Sequence, residues 1–161
     1  MLIRNILEES VRKFDEVKAV KWLKKKEIME RSYGELMENV VSTRKGLLAE
    51  GFEGKHIALI GTSSVEWMES YLGIITGCTT AVPLDAALPC EDLIDLLNRS
   101  DSAALFLSPK LKTYLDAFLE NCPKLQKVWM LQEEVEDAPA KVYGIGELRN
   151  AGKSASADSV C

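Results

Sequence analysis

Four short apolar runs, residues 57–60 (IALI), 79–82 (TTAV), 103–107 (AALFL) and 128–131 (VWML), recur at intervals of 22, 24 and 25 residues. Each is too short for a core helix. None shows the polar alternation of a strand with one wet face, so each suits a strand covered on both faces. Helical segments fill the intervals. The first has Ser63 and Glu66 at capping-box spacing and ends near Gly77. The second opens at Pro89 and carries Leu93, Ile94, Leu96 and Leu97. The third opens at Ser108-Pro109, carries Leu111, Tyr114, Leu115, Phe118 and Leu119, and stops before Pro123. Strand, helix, strand in this rhythm predicts an α/β fold: a mostly parallel sheet of repeated βαβ units, flanked by helices, with right-handed crossovers. What repeats is architecture rather than sequence, so the chain is not read as a repeat protein.

Ahead of the sheet, residues 2–14 place Ile3, Ile6, Leu7, Val11 and Phe14 at helical spacing. The spacing predicts an amphipathic helix packed on its own domain, the alternative being a helix lying on a membrane. Residues 18–31 read as a β-hairpin with Lys24, Lys25 and Lys26 at its turn, a solvated tip. Ser32 and Glu35 form a capping box that opens a long helix with Tyr33, Leu36, Met37, Val40, Val41, Leu47 and Leu48 on its apolar face. Gly51 suits the left-handed position past its end. After residue 131 the pattern weakens into the acidic stretch Glu133, Glu134, Glu136 and Asp137, with residues 141–143 the one further strand candidate. The expected organisation is an α/β subdomain over residues 1–148 and a small-residue, polar linker or truncated end over residues 149–161.

The composition excludes several function classes. A formal charge of −5 argues against nucleic acid, and against an electrostatic hold on anionic membrane unless charge is locally segregated. With one histidine, His56, and no CxxC pair among Cys78, Cys90, Cys122 and Cys161, a zinc site is not expected. The cysteines read as free thiols in a reducing cytoplasm. No run approaches a membrane span, and Glu8 and Glu9 interrupt any signal-peptide core.

Several motifs invite a functional reading. Gly152-Lys153-Ser154 mimics the end of a phosphate loop, but the first glycine of that motif would fall at position 147, which is Glu. Gly61-Thr62-Ser63-Ser64 joins the first buried strand to its helix, where free N–H groups could hold an anion; the preferred reading is that these residues turn the chain and cap the helix. Asp85 stands at the end of a strand, where ligands of parallel sheets sit, and could be a base, a ribose ligand or a turn cap, the cap being preferred. His56 precedes a strand at the opposite edge and suits a surface or pairing role. Trp67 and Tyr71, four apart on one helix, read as core packing. No catalytic, cofactor-binding or metal-ligating residue is assigned on these grounds.

The order of segments resembles the adenylate-forming superfamily, the acyl-CoA synthetases and their relatives. Ser32-Tyr33-Gly34-Glu35-Leu36 looks like its first core motif. Ser63-Ser64-Val65-Glu66-Trp67 follows, and then a second core motif from Tyr71 through Gly77-Cys78-Thr79-Thr80-Ala81-Val82-Pro83-Leu84-Asp85, where Cys78 departs from the usual alanine-glycine wording. Leu88-Pro89, Asn98-Arg99-Ser100-Asp101 and Leu105-Phe106 continue the register, so the likeness covers residues 2–131.

The resemblance implies an acetyl-CoA synthetase-like N-terminal subdomain and a parent that joins a carboxylic acid, fatty in flavour, to ATP. The acyl-adenylate so formed passes its acyl group to coenzyme A, with Mg²⁺ neutralising the phosphates. Amino-acid- and aryl-acid-activating members share the same wording. The family's phosphate-binding loop and mobile C-terminal domain come after the point where this sequence stops. The chain is therefore expected to be an inactive N-terminal scaffold. Its partner would be the remainder of its own polypeptide, with homodimerisation through exposed apolar surface as a further expectation. Two rival readings stay open: a complete small α/β module binding an anion or nucleotide at residues 61–64, and a non-catalytic interaction protein.

Overall fold

A computed structural model describes residues 2–156. Five strands form one parallel sheet: β3 (His56–Ile60), β4 (Thr80–Leu84), β5 (Ser102–Leu107), β6 (Lys127–Met130) and β7 (Val142–Gly144), in the order β4-β3-β5-β6-β7. The fifth strand is the one residues 141–143 suggested, displaced by one residue.

The continuous apolar runs have the predicted cause. Along β3, Ala58 and Ile60 enter one core while Ile57 and Leu59 enter another; along β5, Leu105 and Leu107 oppose Ala104 and Phe106. All eight side chains are fully buried. Burying a large aliphatic or aromatic side chain contributes about 1.5–3 kcal/mol, so this double-sided sheet dominates the stability of the fold. On one face lie α4 (Cys90–Arg99) and α5 (Leu115–Asn121), through Leu93, Leu97, Leu115 and Phe118. The other face is covered by α2 (Tyr33–Ala49), α3 (Val65–Ile75) and α6 (Ile145–Ser154), through Leu47, Ile74, Ile145 and Leu148.

The local signals explain most boundaries. The Ser32 hydroxyl accepts from the Glu35 backbone N–H at 3.2 Å, and the Glu35 carboxylate accepts from the Ser32 N–H at 2.7 Å. That box opens α2, and Gly51, at φ +81°, follows its end. At α3 the cap is Ser64 rather than Ser63: its hydroxyl accepts from the Trp67 N–H at 3.1 Å. Shifting the cap by one residue leaves Glu66 inside the first turn rather than at the reciprocal position, so no box forms there. Ser108-Pro109 opens a 3-10 turn over Pro109–Tyr114, with no side-chain cap, before α5 begins.

The N-terminal segments are attached more loosely. In α1 (Ile3–Phe14) no residue is fully buried, and the Phe14 ring meets Tyr33 of α2 at 6.2 Å. The expected packing of its apolar stripe is therefore partial: Ile3, Ile6 and Phe14 remain about half exposed. β1 (Lys18–Lys24) and β2 (Glu27–Ser32) form the predicted hairpin, turning at Lys25 and Lys26, both with positive φ.

Two expectations are corrected. Residues 149–154 are not a linker; they complete α6, and Arg149 and Gly152 are buried. Ala151 and Gly152 carry little side chain because α6 crosses α2 closely: a Cβ on Gly152 would lie 1.9 Å from the Ser42 carbonyl oxygen, and one on Gly46 would lie 2.3 Å from that of Leu148. Cys78 is disulfide-bonded, against the expectation of four free thiols, whereas Cys90 and Cys122 are free. Cys161 lies outside the described residues, as do the last residues of the expected polar end.

Candidate functional site

In an open parallel sheet the chain reverses its direction of growth where β3 lies between β4 and β5, and ligands of such folds sit outside the carboxyl ends of strands at that point. Here the point is formed by the turn from Gly61 to Ser64 after β3 and by Ser108 after β5. It is packed at Gly61, whereas Thr62, Ser63 and Ser64 are exposed and the last two line an open cavity with Lys21, Trp22 and Trp67. A Cβ on Gly61 would meet the Ser108 Cβ at 3.0 Å, the Trp67 ring at 3.3 Å and Leu131 at 3.4 Å. The Ser108 N–H donates to the Ile60 carbonyl at 2.9 Å, sewing the two strand ends together. Trp67 stacks on Tyr71 with ring centres 5.3 Å apart and planes 13° from parallel, as core packing predicts. Ser64 spends its hydroxyl on the helix cap. At residues 61–64 the structure thus shows a capped turn, the preferred reading.

The other sequence candidates resolve similarly. Asp85 is exposed, and its Oδ1 accepts from the Ala87 N–H at 2.9 Å, the preferred turn cap. His56 begins β3 at the amino edge of the sheet, where its Nδ1 donates to the Ser100 carbonyl at 2.6 Å. Gly152-Lys153-Ser154 ends a helix, whereas a phosphate loop precedes one; Gly152 serves the α2–α6 crossing and Lys153 pairs with Glu38 at 2.9 Å. Burial raises the thiol pKa of Cys90, helped by Glu91, and burial likewise raises that of Cys122, so both stay protonated and weakly nucleophilic at neutral pH. Among the described residues no group of three or more His, Cys, Asp or Glu side chains could hold a metal ion. No helix among them is long and apolar enough to cross a membrane.

The most concentrated chemistry lies inside, where sequence reasoning did not look. Glu69 of α3 is fully buried. Its Oε2 accepts from Arg149 Nη2 of α6 at 2.9 Å; its Oε1 accepts from Arg31 of β2 and, at 3.2 Å, from Asn39 of α2. Arg149 also donates to Thr43 Oγ1 at 3.4 Å and to Glu133 at 3.2 Å. Two carboxylates thus balance two guanidinium groups, and both Glu69 oxygens are occupied. All three donors are side chains of the same subdomain, and the carboxylate is shut off from solvent. Its work is to tie the hairpin, α2, α3 and α6 into one body. A glutamate in the middle of an amphipathic helix, and an arginine in a small-residue stretch, carried no signal that they meet.

An open parallel α/β subdomain with an N-terminal hairpin and a capped long helix is the class that these features define. It matches the N-terminal subdomain of adenylate-forming ligases. The AMP-binding enzyme family matches residues 7–159, and the chain belongs to that family. Among solved structures, coronafacic acid ligase from Pectobacterium brasiliense superposes with a TM-score of 0.86 at 20% identity, over 100% of this chain and 32% of the other. The anthranilate CoA ligase AuaEII, in complex with anthranoyl-AMP, gives 0.79 at 16% identity, over 96% and 29%. The N-terminal domain of FACL13 from Mycobacterium tuberculosis gives 0.75 at 18%, over 100% and 38%. The chain thus spans about a third of the length of these structures. A search of curated protein sequences gave no match.

Proposed function

We propose that this chain is the front part of an adenylate-forming acid–CoA ligase and serves that enzyme as scaffold. The observation that carries the reading is the family match across nearly the whole chain, combined with the third of a ligase that the chain spans. In the parent, a carboxylate oxygen attacks the α-phosphorus of ATP and pyrophosphate leaves. The thiol of coenzyme A then displaces AMP from the acyl-adenylate, with Mg²⁺ screening the phosphates.

No residue described here is assigned to the nucleotide. The turn after β3 approaches Ser108 and Leu131 at Gly61, and the Ser64 hydroxyl is engaged in capping α3. No step of the reaction is therefore assigned to this chain's side chains. Their contribution is a rigid sheet, with the Glu69–Arg149–Arg31 cluster fixing the helices and hairpin around it.

For the acid we put forward a fatty acid, on the overall likeness of the chain to acyl-CoA synthetases that act on fatty acids. An aryl acid is the second reading, favoured by the neighbour that is named an anthranilate CoA ligase. The test is ATP–pyrophosphate exchange with the 161-residue chain and with its full-length parent, against a panel of fatty, aryl and amino acids. The parent should exchange with one class and the chain alone with none. Acid-dependent exchange by the chain alone would overturn the scaffold reading, and a parent that responds to aryl acids alone would overturn the fatty one.

A further inference from the structure

From Leu2 to Arg31 no residue is buried. The same stretch, α1 and the β1–β2 hairpin, holds every exposed large apolar side chain among the described residues. Ile3, Ile6 and Phe14 of α1 are about half exposed, and Leu23 and Ile28 of the hairpin are 71% and 72% exposed. Cross-strand partners share a face of a ribbon, so Leu23 and Ile28 project together. Lys21 and Glu30, the next pair on that face, neutralise each other at 2.6 Å. The face therefore offers apolar area without net charge, which suits the centre of a protein interface rather than an electrostatic grip.

A two-stranded hairpin is marginally stable at best without packing. This one is fixed only near its base, where Arg31 pairs with buried Glu69 and the Tyr33 N–H donates to the Val17 carbonyl at 3.0 Å. Further out, the subdomain leaves Leu23 and Ile28 uncovered. Helix α6, the last described element, ends beside α1: Gly152 and Lys153 line one open groove with Val11 and Asp15. Polypeptide that follows α6 thus sets out next to the exposed stretch.

We propose that α1 and the hairpin are the seat of the downstream part of the same polypeptide, which buries the α1 stripe and the Leu23–Ile28 pair. Two observations select this occupant. The chain spans about a third of the structures it matches, so the greater part of such a protein has still to pack on this subdomain. Outside residues 2–29 the described surface exposes no large apolar side chain for it to cover. The first thirty residues are then a brace that the later polypeptide completes. The inference rests on the ligase reading and adds to it the surface where the rest of the enzyme sits.

Hydroxyl-radical footprinting, read by mass spectrometry, compares the 161-residue chain with its full-length parent. Labelling of Leu23 and Ile28 should be about tenfold slower in the parent, the ratio of their exposure here to that of a packed core side chain. Phe14 should be protected with them. Leu23→Ser with Ile28→Ser changes only surface in the chain, so its Tm should stay within about 2 °C. In the parent the same pair should lower Tm by about 4 °C or more, because two large apolar contacts are lost.

Equal labelling in chain and parent would overturn the inference, as would a parent whose Tm ignores the double substitution. If that parent still carries out acid-dependent ATP–pyrophosphate exchange, the ligase reading survives and only the seat is wrong. A coding sequence that ends at Cys161 would overturn both. Protection that appears in the concentrated chain alone and is absent from the parent would also overturn it, since the occupant would then be a second copy.

Discussion

Gly152→Ala separates the two readings of the Gly-Lys-Ser sequence. In α6 an added methyl would sit 1.9 Å from the Ser42 carbonyl oxygen and 2.7 Å from the Gly46 backbone nitrogen. Both are backbone atoms of α2, so no rotamer change can relieve the contact. Carbon contacts normally lie near 3.5 Å, and the helices would have to part by about 1 Å or more. Overpacking of this kind costs about 1–3 kcal/mol. Alanine recovers up to about 1 kcal/mol through helix propensity. Displacing α6 also stretches the 2.9 Å contact from Arg149 to Glu69, one turn earlier on the same helix. The expected net loss is about 2 kcal/mol, or about 4–8 °C in Tm for a domain of this size. Thermal unfolding followed by circular dichroism, with urea titration for the free energy, is the assay. Lys153→Ala is the companion, breaking an exposed pair with Glu38 and changing stability by less than about 1 kcal/mol. A Gly152→Ala protein as stable as the parent sequence would refute the close crossing. Nucleotide affinity abolished by Lys153→Ala would restore the phosphate-loop reading.

Other outcomes follow from the same contacts. Arg149→Met removes one of the two guanidinium groups on buried Glu69 and should destabilise by about 3 kcal/mol, read by urea titration, because a buried charge loses a partner; a neutral result would mean that Arg31 and Asn39 suffice. Ser32→Ala should cost about 1 kcal/mol through loss of the α2 cap. The backbone hydrogen bond from Ser32 holds the Glu35 carboxyl below the ordinary glutamate pKa. Its contribution is therefore present above the unfolded value near 4.3 and fades as pH falls through the lower folded value. NMR titration of Glu35 should show that depression, and Ser32→Gly, which keeps the backbone donor, should retain most of it. The free thiols of Cys90 and Cys122 should react slowly with a thiol reagent at neutral pH and faster on unfolding; rapid reaction of the native chain would contradict their raised pKa values.

What the sequence made legible was the part of the fold built from side-chain periodicity. The buried strands, the Ser32–Glu35 box and the lysine turn all announce themselves within a few residues. Helix α6 did not, because its packing rests on the smallness of Gly152 rather than on a stripe of large apolar residues. The Ser63 reading failed by one position because two adjacent serines are equivalent as letters, and only the path of the chain decides which hydroxyl reaches the Trp67 N–H. The pairing of Glu69 with Arg149 spans 80 residues and joins two helices, so neither neighbourhood hints at it. The disulfide at Cys78 removes the thiol argument for a reducing compartment. As for the site, the sequence offered a turn cap for Asp85 and a surface or pairing role for His56, and the geometry shows Asp85 accepting from the Ala87 N–H and His56 bonded to the Ser100 carbonyl.

The central claim is that the chemistry of this family member is carried by residues other than those described here. The most direct measurement is to determine the coding sequence downstream of the Cys161 codon. The account predicts that the frame stays open and soon encodes a Ser/Thr/Gly-rich loop with a lysine, the phosphate-holding segment of an adenylate-forming ligase. A stop codon directly after Cys161 would contradict it, since a ligase could not then be built around this scaffold.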